Sequence, residues 1–275
     1  MWKKKKAGTA AAYVVLIFVA IFSVLPFYYV FSIATKTPAE AFSTTFSWIW
    51  KPTMDNFKQL FVEDNFLFYF KNSMIIAVLS MFVSVPLATL AAYGLIRHNS
   101  KLSNRLLNSM LALRIFPPML LVIPFFLLAT ALKITDNKYV LMLIIVASNQ
   151  PFAIWLMRGF IISLPKELDE AAHIDGCSLF KTFYKIILPL SMPGIGTASI
   201  FTFLLSYNEY LYALVLTGKK SMTLTVAMGK YAAEELVYWC MNAAGVVAII
   251  LPICIIMIFL QKWLVKGLTA GSVKE

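Results

Sequence analysis

The chain has 275 residues, of which 60% are hydrophobic and 13% are charged, and its formal net charge is +11. Soluble domains carry about 25% charged residues, so this composition cannot cover a water-facing surface and most of the chain must face lipid. The basic residues lie in gaps between long apolar runs and form no stripe along one face, which excludes a nucleic-acid-binding interpretation of the positive charge.

Six apolar segments are long enough to cross a membrane, because a spanning helix needs about 20 residues. They cover residues 11–34, 72–96, 107–132, 139–157, 194–217 and 241–261. The sequence therefore predicts an all-α polytopic membrane protein with six transmembrane helices. A short terminus (1–10) precedes them and a tail (262–275) follows.

The first segment follows a cluster of four lysines, Lys3–Lys6. A secretory signal can begin in the same way, but this apolar run is about twice as long as a signal core. The Ala-Glu-Ala at 39–41 also lies too far downstream for cleavage, so we expect a retained first span. Because basic loops favour the cytoplasmic side, both termini are predicted to be cytoplasmic and the loop 35–70 to be external.

The loop 35–70 contains Trp48, Trp50 and a stretch, Thr53 to Phe61, whose apolar residues have helical spacing. Tryptophan at a membrane boundary is typical of an aromatic belt, and an amphipathic helix can lie in the interface. Contact with a partner outside the cell is a second interpretation, and the two are compatible.

The third span contains prolines that are expected to kink or break it, namely Pro117, Pro118 and Pro124. Broken helices are tolerated in membranes where they pack in protein or line a cavity. Pro117 is therefore a candidate residue of the translocation pathway, with a kink for packing as the alternative. Arg114, on the inner part of this span, is expected to snorkel or to pair with another helix.

The fifth span contains a polar pair, Asn208 and Glu209. An ionisable residue inside a span is a functional candidate by default. We therefore predict a role for this pair in the pathway or in contacts between helices. A carboxylate close enough to the outer interface to be hydrated is the alternative.

Residues 158–190 form one substantial cytoplasmic loop with strong local signals. Pro165 suits the first turn of a helix, and Gly176 can take the left-handed conformation that ends it. Ser178 can cap a second helix, which Pro189 is expected to stop. The sequence thus predicts two short helices that meet at a sharp bend.

The first of these helices carries a small apolar patch formed by Leu168, Ala171 and Ala172. Alanine side chains let another protein approach the helix closely, and two helices around a fixed bend can transmit a push. The patch therefore suits a docking surface, while an ordinary capped hairpin has the same local features.

No catalytic or metal-binding pattern is recognisable in the sequence. The three cysteines are scattered without a CxxC pair, and the HExxH, GxSxG and P-loop motifs are absent. The fragment Gly218 to Ser221 looks like the end of a P-loop. However, the first glycine of that motif is replaced by Ala213, and no strand precedes it. The chain is predicted not to be an enzyme and to bind no metal or cofactor itself.

The cytoplasmic loop resembles the "EAA" loop of binding-protein-dependent ABC importer permeases. The similarity lies in Glu170-Ala171-Ala172, then Asp175-Gly176, and at a fixed distance Ile187-x-Pro189-Leu190, with Cys177 where alanine is usual. Other stretches are similar to the maltose-type carbohydrate permeases, especially the smaller six-span partner of a heterodimer. They are Asn72-Ser73, Arg114-Ile115-Phe116-Pro117, Tyr207-Asn208-Glu209-Tyr210 and the tail from Val265 to Gly271.

This resemblance implies a type I ABC importer permease fold, with residues 71–261 as the shared core and 11–34 as an added span. It implies inward transport of a carbohydrate or related solute, with ATP and magnesium bound by a separate ATPase dimer. The other expected partners are a larger second permease subunit and an extracytoplasmic solute-binding protein. An ion-coupled secondary transporter is the alternative.

The resemblance also implies roles for particular residues. ATPase coupling falls to Glu170, Ala171, Ala172, Asp175 and Gly176. The tail can also reach the ATPase, through Gly267, Leu268, Thr269 and Gly271. The implied location is the bacterial cytoplasmic (inner) membrane.

Overall fold

The computed structural model describes residues 2–45, 47–98, 100–113, 116–232 and 238–270. All regular structure in these ranges is helical, so the predicted all-α class is confirmed. The helices are α1 (Trp2–Ala34), α2 (Pro38–Ala41), α3 (Asp55–Lys58), α4 (Phe66–His98), α5 (Lys101–Leu113), α6 (Pro118–Ala131), α7 (Lys138–Ile162), α8 (Glu167–Ile174), α9 (Leu179–Thr182), α10 (Leu188–Leu190), α11 (Met192–Tyr207), α12 (Leu211–Leu216), α13 (Leu224–Ala232) and α14 (Tyr238–Ala270). Two π-helical turns, Gln59–Glu63 and Phe183–Ile187, follow α3 and α9 directly.

Helices α1, α4, α7 and α14 are each long and apolar enough to cross a membrane. Leu179–Leu190 and α11 pass the same test only as a pair, which is bent by 75° and is either a fifth, broken span or a re-entrant loop. The described part of the chain therefore has four to five candidate spans by length and composition. The predicted spans 72–96, 139–157 and 241–261 all lie inside longer helices.

The predicted third span, 107–132, is not one helix. Its first residues belong to α5, which contains charged and polar residues among the apolar ones and in which Leu107 is buried. Its remainder is α6, an apolar helix of 14 residues that begins at Pro118 with Pro117 as its N-cap residue. A proline lacks the amide hydrogen that a continuing helix requires, so the break predicted at Pro117 is present. Arg114 lies outside the described residues.

One compact unit of the chain comprises residues 68–227 and 253–275. Its core has two clusters of buried side chains along α7. Near the beginning of α7 they include Leu141, Ile145, Tyr212, Ala213 and Leu216, with Ile76 of α4. Near the end of α7 they include Met157, Ile161, Phe183, Ile187 and Ala198, with Ala88 and Ala92 of α4.

The other unit comprises residues 1–67 and 228–252. The loop after α1 is ordered by polar contacts: the buried Lys36 Nζ donates to the Ser47 carbonyl at 3.0 Å, and Trp50 Nε1 donates to Thr35 Oγ1 at 3.0 Å. Asn56 Nδ2 donates to the carbonyl of Lys36 at 2.8 Å. The predicted helix in this loop is present as α3 and the following π-helical turn.

Candidate coupling site

The predicted bend between two short helices is present, and we call residues 164–190 the elbow. Helix α8 has acidic residues in its first turn, which suits the positive end of the helix dipole. It ends at Ile174, two residues before Gly176, whose φ is +78°, a left-handed conformation that glycine adopts without a steric penalty. The Gly176 amide donates to the His173 carbonyl at 3.0 Å. The sequence prediction for this glycine is confirmed.

The second arm of the elbow starts with the predicted cap. The Lys181 amide donates to Ser178 Oγ at 3.4 Å. From there α9, the π-helical turn Phe183–Ile187 and α10 follow one another directly. The predicted stop at Pro189 lies one residue early. The arm ends at Leu190, because Pro189 sits in the first turn of α10, where its missing amide is tolerated.

The elbow buries one face against its own chain. Ala172 is 2% exposed, and Thr182, Phe183 and Ile187 are also buried. This corrects the sequence analysis, which grouped Ala172 with Ala171 in one outward patch. Ala171 is exposed, whereas its neighbour points into the core. The direction of Ala172 depends on how α8 lies on the core, which the local sequence does not specify.

The opposite face of the elbow is exposed and partly apolar. Glu170, Ala171, Asp175 and Gly176 are all exposed. Beside them are Ile174 at 87% exposure, Phe180 at 73%, Leu179 and Tyr184. The sequence pattern had not singled out the last four, although all four lie in the loop predicted at 158–190, which was a usable signal.

An ion pair fixes the first arm of the elbow to α4. Arg97 Nε lies 2.8 Å from Asp169 Oδ2. Tyr93 Oη donates to Asp169 Oδ1 at 2.6 Å, and Arg97 Nη2 donates to the Leu164 carbonyl at 3.2 Å. These residues are 67 to 76 positions apart in sequence, and no local pattern predicted the contact.

The predicted fifth span, 194–217, is interrupted at the polar pair. Helix α11 ends at Tyr207 and α12 begins at Leu211. Glu209 Oε1 accepts a hydrogen bond from the Tyr212 amide at 3.0 Å, and the Glu209 carbonyl accepts one from Thr225 Oγ1 at 2.8 Å. Asn208 Nδ2 donates to the Leu204 carbonyl at 2.9 Å. The pair ends one helix and caps the next, because a carboxylate satisfies the free amides of a helix N-terminus.

A second polar centre, which no sequence pattern indicated, joins the loop before α7 to the loop between α12 and α13. It lies at the end of α7 opposite the elbow. Asp136 Oδ1 accepts hydrogen bonds from the Gly218 and Ser221 amides at 2.8 and 2.9 Å and from Ser221 Oγ at 2.7 Å, while Oδ2 accepts from the Lys220 amide at 3.1 Å. Burial acts to raise the pKa of Asp136, but the hydrogen bonds outweigh it and hold this pKa below the ordinary value. The fragment Gly218 to Ser221 is thus a loop, as predicted.

The residues of the tail that were predicted to reach the ATPase are only partly covered by the structure. Gly267, Leu268 and Thr269 lie in the last turns of α14, which continues without a break past the predicted tail boundary at 262. Gly271 lies outside the described residues. Among the residues that the structure covers, no group of three or more His, Cys, Asp or Glu side chains could hold a metal ion.

Comparison with known proteins gives one consistent family. Residues 84–270 match the family model described as binding-protein-dependent transport system inner membrane component. The maltodextrin transport system permease protein MdxG of Bacillus subtilis is 32% identical over 238 residues, covering 86% of this chain and 85% of that protein. The sulfoquinovosyl glycerol transport system permease protein SmoH of Agrobacterium fabrum is 32% identical over 241 residues, covering 87% and 85%.

A solved structure supports the same fold. A chain of a bacterial ABC transporter involved in the import of the acidic polysaccharide alginate superposes with a TM-score of 0.78, covering 94% of this chain and 96% of that one. The two chains are 21% identical, so this likeness bears on the fold alone.

Proposed function

The chain belongs to the family of binding-protein-dependent transport system inner membrane components, and from this membership we propose that it is the permease subunit of an ATP-driven sugar importer. It is a multi-pass inner-membrane transport protein and not an enzyme. The observation that carries the proposal is the elbow, a capped pair of helices whose outer face is exposed and whose inner face is buried in the membrane core of the same chain.

The exposed face of the elbow is the proposed ATPase surface. A group of large apolar side chains exposed beside polar ones is typical of a protein interaction site. Ile174, Leu179, Phe180 and Tyr184 provide the apolar area, and Glu170 and Ala171 lie beside it. ATP and magnesium then bind to the partner, since this sequence has no nucleotide motif. Closure of the ATPase dimer would push the elbow. The translocation pathway would then open alternately to the two sides of the membrane.

The proposed topology has six spans with both termini in the cytoplasm. Helix α6 contributes to the third span and the broken pair α11 and α12 to the fifth. Pro117, Asn208 and Glu209 lie at the breaks, where irregular backbone is tolerated if it lines a cavity. We propose these breaks as parts of the translocation pathway.

A second, larger permease subunit is the proposed partner of α1. The apolar stretch Ala12–Ala34 has a mean hydropathy of 2.5, and its most apolar window is not buried by the rest of the chain. A helix that is apolar on all sides needs lipid or another helix around it. A binding protein outside the membrane delivers the solute in this proposal, and carbohydrates are the proposed class because the relatives named above transport sugars.

Reconstitution in proteoliposomes tests the proposed function. The chain is co-purified with its ATPase, its partner permease and its binding protein, and maltodextrin and sulfoquinovosyl glycerol serve as probes. We expect uptake that requires internal ATP and hydrolysis that the loaded binding protein stimulates. The control is the ATPase without either permease. Uptake driven by an ion gradient without ATP would favour a secondary transporter and overturn the proposal.

A further inference from the structure

The contact between the elbow and α4 includes a group of polar side chains as well as apolar packing. Tyr93 and Arg97 are four residues apart and therefore lie on one face of α4. Both reach the same carboxylate, Asp169, which occupies the first turn of α8. The side chains of Arg97 and Asp169 are only 13% and 15% exposed. The ionic contact is therefore largely shielded from water and from screening by salt.

The same side chains hold both arms of the elbow. Arg97 binds the Leu164 carbonyl as well as Asp169, so it bridges the start of the elbow and α8. The Tyr93 ring packs on Phe183 in the second arm, with ring centroids 5.2 Å apart. Neither arm can shift on α4 without breaking one of these contacts.

A buried ion pair is weak evidence for stability, because apolar replacements of the pair are often as stable. Its best-attested use is to fix one geometry among several. The apolar face of the elbow, with Ala172 and Ile187, already provides burial. Apolar contacts are not directional, whereas the hydrogen bonds from Tyr93 to Asp169 and from Arg97 to the Leu164 carbonyl are, and together with the ion pair they specify how α8 is seated on α4.

The far end of α4 is also fixed by polar contacts. Asn72 Nδ2 donates to the Met222 carbonyl at 3.1 Å, and Ser73 Oγ accepts from the Leu224 amide at 2.8 Å. Asn72 and Arg97 are about 37 Å apart along the helix at 1.5 Å per residue. Helix α4 thus links the elbow to the loop between α12 and α13. The same loop donates a hydrogen bond to Asp136 through the Ser221 amide.

We infer that Tyr93, Arg97 and Asp169 form a clamp that transmits movement of the elbow to α4 and through it to the loop at the opposite end. The three are positioning residues, and their role rests on the proposed function. Glu170 and Ala171 on the proposed ATPase surface directly follow Asp169 in the chain, so force applied there acts first on the clamp. Spatial continuity alone does not establish coupling, so the inference needs a coupling measurement.

The test replaces the ion pair by apolar side chains in the full importer. Arg97→Met with Asp169→Leu removes both charges, so neither is left buried and unpaired. Tyr93→Phe removes one hydroxyl and keeps the ring on Phe183. Arg105→Gln, which removes an exposed charge from α5 outside the elbow, is the control. The measurements are ATPase co-purification, ATP hydrolysis and maltodextrin uptake in proteoliposomes.

We expect the double variant to retain the ATPase but to import less maltodextrin for each ATP hydrolysed. Coupling between sites commonly amounts to about 5- to 150-fold, so we expect this ratio to fall about tenfold or more. Tyr93→Phe should show a smaller fall in the same direction, and Arg105→Gln should keep the wild-type ratio.

Several outcomes would overturn the clamp. One is a double variant that binds the ATPase and keeps the wild-type ratio. If the double variant fails to assemble, a wild-type ratio in Tyr93→Phe has the same meaning. A uniform loss of hydrolysis and uptake, with the ratio unchanged, would show a structural role only. Absence of ATP-driven uptake in the wild-type importer would instead refute the proposed function.

Discussion

Replacing Ala171 by tryptophan places a large side chain on the exposed face of α8, beside the apolar residues of the proposed ATPase surface. The neighbouring change, Ala172→Trp, puts the same side chain on the buried face, where Ala172 is 2% exposed. The two variants differ by one position and separate docking from folding. The sequence alone would have treated them as equivalent.

The magnitudes follow from the two environments. Overpacking a close contact costs about 1–3 kcal/mol. For Ala171→Trp this cost falls on the complex and corresponds to a decrease of roughly 5- to 150-fold in the ATPase association constant. The permease itself should change by less than about 0.5 kcal/mol, as is usual for surface substitutions. For Ala172→Trp the cost falls on the permease.

The assay combines ATPase co-purification at matched expression with thermal unfolding of the isolated permease. We expect Ala171→Trp to lose the ATPase and to keep the wild-type unfolding temperature. Ala172→Trp should unfold at a lower temperature. If Ala171→Trp binds the ATPase as well as the wild type does, the exposed face of the elbow is not the docking surface and the reasoning is refuted.

Gly176→Pro should abolish transport while membrane insertion continues, because a φ of +78° is closed to proline; Gly176→Asn, which tolerates this conformation, is the control, and wild-type uptake by the proline variant would contradict the role of the bend. Asp136→Ala should lower the free energy of unfolding by about 1.5–3 kcal/mol, since hydrogen bonds to a charged group are lost. Because the pKa of Asp136 is held below its ordinary value, its contribution should persist at neutral pH and decline only as pH falls below about 4. Thermal unfolding from pH 7 to pH 3 measures this, and an equal acid loss in Asp136→Asn would argue against the assignment. A cysteine at the exposed position 43, made by Ser43→Cys, should react with an impermeant thiol reagent in intact cells; reaction only after lysis would refute the topology.

The features that the sequence determined by itself are those governed by chemistry within one helical turn. Gly176 ends α8 and Ser178 caps α9, because the backbone angles and free amides at helix ends select these residue types locally. Pro117 precedes α6 as its N-cap residue, at the predicted break, whereas Pro86 and Pro151 lie inside continuous helices. The long apolar runs likewise predicted α1, α4, α7 and α14, since lipid exposure requires an unbroken apolar surface.

Tertiary structure alone decided which partners distant residues meet. It separated Ala172 from Ala171, brought Asp169 to Arg97, and placed Asp136 against the loop that ends at Ser221. It also made Glu209 a helix cap where hydropathy predicted a continuous span. These contacts depend on which faces of which helices pack together. The sequence pattern of a single helix does not contain that information, because apolar faces attract each other without direction and the polar contacts form only after packing has chosen the neighbours.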